Sequence, residues 1–393
     1  MRLKDLEEEL CLLKAQSLYR NLKRIDSPQS DMVTIDGREH ISLCSNNYLG
    51  LANHRTLKDA AISAAEKYGT GAAASRLISG NMALHERLES ITASFKQTED
   101  ALIFNTGYMA NTGIIQSLAS DKDVIFSDEL NHASIIDGCR LSKATVFIYK
   151  HRDVDNLRLL LAGSEGFGKK IIITESVFSM DGDIAPLPDI KRAAIEHDAI
   201  LIVDDAHATG VLGKNGRGSS EHFGIKPDAG LLHIQMGTYS KALGSFGAYI
   251  AGPGILKEFL INKARSFIHT TALPPGVLGA SIASIKIIQE NDTLLKRLWD
   301  NTRFFRERLK GLGFNTLDSE TPIIPVLIGS AEDTIQFSER LFQEGIFAAP
   351  IRPPTVPEGS CRIRTTITAA HSVGNIEYCT EIFEKVGKEL RII

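Results

Sequence analysis

The chain has 393 residues, a formal net charge of −4 at pH 7, 43% hydrophobic residues and 23% charged residues. This balance is typical of a folded globular protein and excludes a disordered or collagen-like chain. The slightly acidic charge argues against a general nucleic-acid surface, and the absence of any run of 18 apolar residues argues against a membrane span.

The N-terminal half of the sequence alternates between predicted helices and strands. Residues 1–24 are predicted to form an amphipathic helix without the apolar stretch of a signal peptide, which favours a cytoplasmic protein. A second helix is predicted over 56–68. Apolar strand patterns follow at 101–105, 124–127, 145–149, 171–175, 199–204, 231–236 and 247–251, with helical patterns between most of them. This order predicts an α/β fold with a mainly parallel sheet.

The pattern changes near residue 285. Helices are predicted over 293–312, 331–344 and 374–390, with short strands at 323–328 and 361–367. We therefore expect an N-terminal segment over 1–45, a large domain over 46–285 and a smaller C-terminal α/β domain over 286–393. The five cysteines show no metal-ligand spacing, so no metal site is expected.

In an open parallel sheet, ligands bind beyond the carboxyl ends of the strands. Gly107 lies in a strand-to-helix turn, which would suit a phosphate group but is equally consistent with an ordinary turn. Asp204 and Asp205 close an apolar strand, where two carboxylates are costly to bury without partners. One could cap the next element, and the other could meet a cationic ring nitrogen.

Lys241 lies in a loop rich in glycine and hydroxyl groups between two apolar strands. Most lysines are solvated, but these flanks favour a buried amine, whose lowered pKa would let it form a Schiff base. An amine, a carboxylate, histidines and a phosphate-binding turn together fit pyridoxal 5'-phosphate (PLP).

Several motifs, taken in chain order, resemble those of the α-oxoamine synthases, a family of fold-type I PLP-dependent transferases. They are Asn46-Asn-Tyr-Leu-Gly50, Asn131-His132-Ala-Ser, Val177-Phe-Ser179-Met-Asp-Gly-Asp183, Asp204-Asp-Ala-His207 and Thr238-Tyr-Ser-Lys241. The resemblance runs from about residue 18 to residue 390. It implies a large PLP-binding domain, a smaller C-terminal domain and a homodimer with active sites at the subunit interface.

The resemblance also implies roles for individual residues. The catalytic set is Lys241, which binds PLP as an imine and moves protons, Asp204 at the pyridine nitrogen, His132 stacked on the ring, and His207. The remaining cofactor contacts are Gly107, Tyr108, Ser179, Thr238 and Thr271, the last from the partner subunit. The substrate contacts are Arg20, His132, Arg352 and Thr355, with Arg352 holding the amino-acid carboxylate.

These enzymes join an amino acid to an acyl thioester with loss of carbon dioxide. The segments 351–357 and 366–371 resemble the member that condenses L-alanine with a pimeloyl thioester in biotin synthesis. Whether the acyl group is carried by coenzyme A or by an acyl carrier protein stays open. Glycine C-acetyltransferase is the nearest alternative, a PLP aminotransferase is a more distant one, and a non-enzymatic binding module would be expected to lack Lys241 or Asp204.

The chain departs from the usual family pattern at Ala73, Ala74, Ala208 and His269. By the resemblance, these positions touch the pocket wall and the dimer contact. They affect the expected substrate tolerance more than the expected chemistry.

Overall fold

The computed structural model describes residues 3–16, 18–226 and 231–393. The chain forms two compact units. Unit 1 contains residues 1–46, 180–182 and 297–393, and unit 2 contains residues 47–179 and 183–296. The predicted segment boundary at 285/286 falls inside a helix of unit 2, Pro275–Glu290.

The strands are bounded as follows: β1 Met32–Ile35, β2 Arg38–Ser42, β3 Asp100–Phe104, β4 Val124–Asp128, β5 Thr145–Tyr149, β6 Lys170–Glu175, β7 Ala199–Asp204, β8 His233–Thr238, β9 Ala248–Gly252, β10 Ile323–Gly329, β11 Ile346–Phe347, β12 Ala349–Ile351 and β13 Cys361–Thr366.

The α-helices are α1 Leu3–Ala15, α2 Arg55–Tyr68, α3 Ala83–Lys96, α4 Gly107–Leu118, α5 Ala133–Ser142, α6 Val154–Ala162, α7 Leu187–Glu196, α8 Ser219–His222, α9 Gly254–Lys263, α10 Arg265–Ile268, α11 Pro275–Glu290, α12 Thr293–Gly311, α13 Ala331–Gln343 and α14 Val373–Glu389. In the described part of the chain, no helix has the length and apolar character needed to cross a membrane.

A seven-stranded sheet forms the centre of unit 2, in the order β3-β9-β8-β7-β6-β4-β5. The neighbours from β8 to β5 pair in parallel, while β9 runs antiparallel to both β3 and β8. The predicted α/β fold with a mainly parallel sheet is confirmed. The antiparallel β9 follows β8 through a loop too short for the helical crossover that a parallel connection requires.

Both faces of this sheet are buried, which explains the continuous apolar strands. On β6, Ile171 and Ile173 pack into one core cluster and Ile172 into another. On β7, Ile202 joins the first cluster, and Leu201 joins the second. Successive side chains of a strand point to opposite faces, so every position must be apolar when helices cover both faces.

Unit 1 contains two three-stranded sheets, β1-β2-β11 and β10-β13-β12. Its core brings Leu43 from the N-terminal segment together with Phe305, Phe337 and Phe383 from the C-terminal helices. The parallel pairing of β11 with β2 joins the same two parts of the chain. Residues near the N-terminus therefore share a core with the C-terminal part.

The first helix is shorter than predicted. The prediction over 1–24 is wrong for residue 16 and for residues 18–24, because α1 ends at Ala15, and residues 1, 2 and 17 lie outside the described part of the chain. The peptide N–H groups of Leu18 and Tyr19 both donate to the carbonyl of Leu13 and so leave the regular helical ladder. No residue of α1 is buried, so packing supplies no reason for the helix to extend.

Candidate active site

Polar residues of unit 2 gather at the carboxyl ends of the parallel strands. His132 follows β4, Ser179 follows β6, His207 follows Asp204 at the end of β7, and Lys241 follows β8. Parallel strands place these ends on one edge of the sheet, as the strand pattern predicted.

A chain of hydrogen bonds links Asp204 to His132 at this edge. The Asn111 amide Nδ2 donates to Asp204 Oδ2 at 2.8 Å and to Ser134 Oγ at 2.9 Å. Ser134 Oγ lies 2.8 Å from His132 Nδ1. The other oxygen of Asp204 accepts the peptide N–H of Ala206 at 2.8 Å. Asp204 is buried, so these bonds hold its carboxylate in one orientation.

The protonation state of His132 follows from this arrangement. His132 Nδ1 accepts the peptide N–H of Ser134 at 3.2 Å as it caps α5, so the ring proton belongs on Nε2. Partial desolvation lowers the pKa of His132, Asp204 raises it and Lys241 lowers it, with a net decrease. The ring is therefore neutral, and the side chain remains exposed to solvent.

The two adjacent aspartates have different environments. Asp205 Oδ2 lies 2.8 Å from Lys96 Nζ in a fully buried ion pair, and its oxygens also accept from the Ser219 peptide N–H and hydroxyl. Asp204 is bonded by neutral donors. Each aspartate accepts a backbone N–H, Asp204 from Ala206 and Asp205 from Ser219, so the two differ in their side-chain partners and not in whether they bond the backbone.

Glu175 is a further buried carboxyl group at this edge. It is paired in register with Asp204 across β6 and β7. Burial, followed by repulsion from Asp204, raises the pKa of Glu175 well above its usual range. Asn131 fixes the backbone here, because its Oδ1 accepts the Glu175 N–H while its Nδ2 donates to the Ile173 carbonyl, each at 2.9 Å.

His207 is held by Tyr48, whose hydroxyl lies 2.7 Å from His207 Nδ1. The two rings meet edge to face with their centroids 6.1 Å apart. Both side chains are buried, so the Tyr48 hydroxyl helps to fix the position of the His207 ring.

The turn before α4, together with Thr238, forms a candidate phosphate cradle. Thr106 caps the helix by accepting the Met109 N–H, and Gly107 and Tyr108 are the first helical residues. A Cβ on Gly107 would come within 3.0 Å of Thr238 Cγ2, so only glycine leaves this space open. Thr238 Oγ1 is buried without a hydrogen-bond partner in the described structure. A helix N-terminus beside an unsatisfied hydroxyl is suited to a phosphate.

Lys241 lies in the loop between β8 and β9. The sequence favoured a buried amine, but the Lys241 side chain is only partly buried. The loop is closed by the bonds from Tyr239 N–H to the Gly247 carbonyl and from Gly244 N–H to the Lys241 carbonyl, both 2.9 Å. The charge of Lys241 lowers the pKa of both His132 and Glu175, which shows that it lies near them.

Four further residues were predicted to belong to the site, and they are divided between the two units. Thr271 belongs to unit 2, where its carbonyl accepts from Asn105 Nδ2 at 2.7 Å. Arg20, Arg352 and Thr355 belong to unit 1, where the Thr355 N–H donates to the Arg352 carbonyl at 3.1 Å. Their roles toward a substrate stay predictions.

Sequence reasoning missed Asn111, Ser134, Glu175 and Lys96. Asn111 lies one helical turn after Gly107, so a search for polar residues on the same face of α4 would have found it. Ser134 lies two residues after the cap His132, within reach of its ring. Nothing in the sequence around Lys96 indicates its role, because its partner Asp205 is 109 residues away.

Comparison with known proteins agrees with this fold, which is that of a fold-type I transferase. A family model described as aminotransferase class I and II matches residues 38–383. The protein from Thermoanaerobacter pseudethanolicus named 8-amino-7-oxononanoate synthase is 52% identical over 389 residues, covering 99% of this chain and 98% of the relative. The protein of that name from Symbiobacterium thermophilum is 51% identical, with the same coverage. The chain therefore belongs to the class I and II aminotransferase family and, within it, to the 8-amino-7-oxononanoate synthases.

Solved structures support the same assignment. A serine palmitoyltransferase variant from S. paucimobilis with a bound PLP–myriocin aldimine has a TM-score of 0.93 and 30% identity, covering 99% of this chain and 98% of that one. The 8-amino-7-oxononanoate synthase from Francisella tularensis has a TM-score of 0.77 and 32% identity, covering 90% of this chain and 99% of that one. The resemblance predicted from the motifs is confirmed.

Proposed function

We propose that this chain binds PLP and condenses L-alanine with a pimeloyl thioester to give 8-amino-7-oxononanoate, carbon dioxide and the free thiol, an early step of biotin synthesis. The observation that carries the proposal is the hydrogen-bonded chain from Asp204 through Asn111 and Ser134 to His132, with Lys241 beside it. Full-length relatives at 50–52% identity carry the name of this synthase.

PLP, when bound, supplies an aldehyde that combines with amines and a pyridine ring that accepts electrons. Asp204 is suited to keep the ring nitrogen protonated, because its carboxylate is buried and oriented by Asn111 and the Ala206 N–H. The cradle formed by Gly107, Tyr108 and Thr238 suits the phosphate, with Thr271 of the partner subunit as a further contact.

Three side chains complete the cofactor site in this proposal. His132 is neutral and accessible, so it can lie against the cofactor ring without adding a second positive charge to that of the protonated ring nitrogen. His207 and Ser179 hold the phenolic side of the ring, with His207 positioned by Tyr48.

Lys241 acts as the base. As a free, neutral amine, Lys241 would remove the proton from the alanine α-carbon and later return a proton to the product. The new carbon–carbon bond forms at the thioester carbonyl, and the thiolate leaves and takes a proton from solvent. The carboxyl group of alanine then departs as carbon dioxide, so all atoms of both substrates are accounted for.

Arg352 anchors the alanine carboxylate, because its planar guanidinium can bind both oxygens and fix the plane of the group. Arg20 and Thr355 contact the substrate. The active enzyme is a cytoplasmic homodimer in this proposal, and its acyl donor is carried by coenzyme A or by an acyl carrier protein.

The direct test is a substrate panel with the PLP-loaded protein. We expect thiol release with L-alanine and pimeloyl-CoA, and a product with the mass of 8-amino-7-oxononanoate. Glycine with acetyl-CoA is the matched control pair. Thiol release from that pair alone would indicate a glycine C-acetyltransferase, and conversion of alanine to pyruvate without thiol release would indicate an aminotransferase.

A further inference from the structure

A second cluster of charged groups lies in unit 2, next to the strand ends but outside the set described above. His151 follows β5, Asp128 ends β4 and Asp183 lies in the turn after β6. His151 Nδ1 is 3.0 Å from Asp128 Oδ1, and His151 Nε2 is 2.7 Å from Asp183 Oδ2. One imidazole thus bridges two carboxylates that are 55 residues apart, from Asp128 to Asp183.

The geometry requires His151 to carry a proton on both ring nitrogens. A neutral imidazole can donate from only one nitrogen, and an ionised carboxylate can only accept. Burial would lower the pKa of His151, but its hydrogen bonds to Asp128 and Asp183 and their charges raise it to about 9. The Phe178 ring meets the His151 ring edge to face, with the two centroids 4.4 Å apart, and covers one side of the imidazole.

The other charged groups facing His151 leave this assignment intact. Arg152 donates from Nη1 to Asp183 Oδ2 at 3.1 Å and from its peptide N–H to Asp128 Oδ2 at 3.0 Å. Glu129 Oε1 accepts the peptide N–H of His151 at 2.7 Å. With His151 protonated, two cations face the three carboxylates of Asp128, Asp183 and Glu129, whereas neutral His151 would leave one cation, Arg152, against the same three.

The anchored Asp183 forms the base of the turn that carries Ser179. Val177 pairs with Ile184 in an isolated bridge, and the Phe178 N–H donates to the Asp183 carbonyl at 3.1 Å. Ser179 is the next residue after Phe178. Holding the Asp183 side chain therefore holds the backbone from which Ser179 projects.

We propose that His151 is a positioning residue for the cofactor site: as an imidazolium between Asp128 and Asp183, it fixes the turn that presents Ser179. The inference rests on the proposed function, because Ser179 matters here through its contact with PLP. His151 itself touches neither cofactor nor substrate in this scheme.

A double-mutant cycle on PLP affinity tests the coupling, using the full chain and the absorbance of the bound cofactor. We expect His151→Gln to weaken PLP binding by about tenfold in the wild-type background and by about twofold or less with Ser179→Ala, as for coupled groups. His222→Gln, at an exposed histidine of the same unit, is the control and should leave affinity unchanged. If His151→Gln lowered PLP affinity by the same factor in both backgrounds, His151 would have only a general structural role and the proposal would be overturned.

A titration of the wild-type protein covers the case in which His151→Gln fails to fold. ¹⁵N-histidine NMR should show His151 doubly protonated at pH 7.5 and losing its proton near pH 9. His151 found neutral at pH 7 would overturn the proposal. Wild-type protein that fails to bind PLP at all would instead reject the proposed function, and the His151 inference with it.

Discussion

Lys96 and Asp205 form an ion pair with both side chains wholly buried and Lys96 Nζ 2.8 Å from Asp205 Oδ2. Lys96 also donates to the carbonyl of Arg217, so its ammonium group is bonded on two sides. The pairing separates the roles of two adjacent carboxylates. Asp205 is paired with a cation within the protein, while Asp204 accepts from the neutral Asn111 amide and the Ala206 N–H.

Removing the cation from this pair should destabilise the fold. Lys96→Met leaves the Asp205 carboxylate buried and uncompensated, which we expect to cost about 3–5 kcal/mol of unfolding free energy. Urea unfolding measures the loss, with Lys263→Met as the exposed control on α9. A loss no larger than that of the control would show that water or another group compensates Asp205.

Lys241→Ala should retain PLP by its phosphate and ring contacts but lose turnover. The amine that binds the aldehyde and the base are both removed, and general-base catalysis alone contributes about 10²–10⁴-fold. Absorbance spectra and thiol release measure the two effects, and borohydride reduction of wild type should place the pyridoxyl group on Lys241. Lys214→Ala, at an exposed lysine, is the control. Activity within about tenfold of wild type would reject Lys241 as the base.

Asp204→Asn and Asp205→Asn should have opposite consequences. Asparagine at 204 keeps the size but cannot stabilise a protonated ring nitrogen, so kcat should fall far more than PLP affinity. Asparagine at 205 removes one charge of a buried pair, so unfolding free energy should fall while kcat per bound PLP stays near wild type. If Asp204→Asn lowered only PLP affinity, the electron-accepting role of the ring would not depend on Asp204.

Asn111→Ala should lower activity without removing any group proposed to touch substrate. The change leaves Asp204 Oδ2 without its amide donor and breaks the link to Ser134. A lost hydrogen bond to a buried carboxylate costs about 1–3 kcal/mol, which should appear as a lower kcat and a shifted cofactor absorbance. Asn262→Ala on the surface of α9 is the control. If Asn111→Ala kept the kcat and the cofactor spectrum of the wild type, the Ala206 N–H alone would be sufficient to orient Asp204.

Arg352→Lys should weaken alanine binding although the charge is kept. Lysine cannot bind both carboxylate oxygens in one plane, so we expect a loss of about 1–3 kcal/mol with little change in PLP content. Spectral titration with alanine measures the affinity, and Arg38→Lys, an exposed site in unit 1, is the control. Wild-type affinity in both Arg352→Lys and Arg352→Ala would transfer the anchoring role to another residue, with Arg20 examined next.

Local patterns in the sequence were sufficient to predict the main sheet and its polar edge. The apolar run of β7 predicted a strand covered on both faces, and Ile202 and Leu201 pack into opposite cores as that requires. His132 and Lys241 were predicted as site residues because each follows a predicted strand, and Asp204 because it ends one, while the family resemblance supplied their roles. A strand's burial is encoded in consecutive residues, so a single pass along the chain detects it.

Tertiary structure alone decided which side chain bonds to which. The partners of Asp204 and Asp205, Asn111 and Lys96, are 93 and 109 residues away and lie on different helices. The same holds for His151, whose two carboxylates come from the end of β4 and from the turn after β6, and for Leu43, which joins a core that includes the C-terminal helices. Such contacts depend on how the sheet and helices converge in space. A buried charge selects its partner by distance and desolvation, neither of which can be derived from neighbouring residues in the sequence.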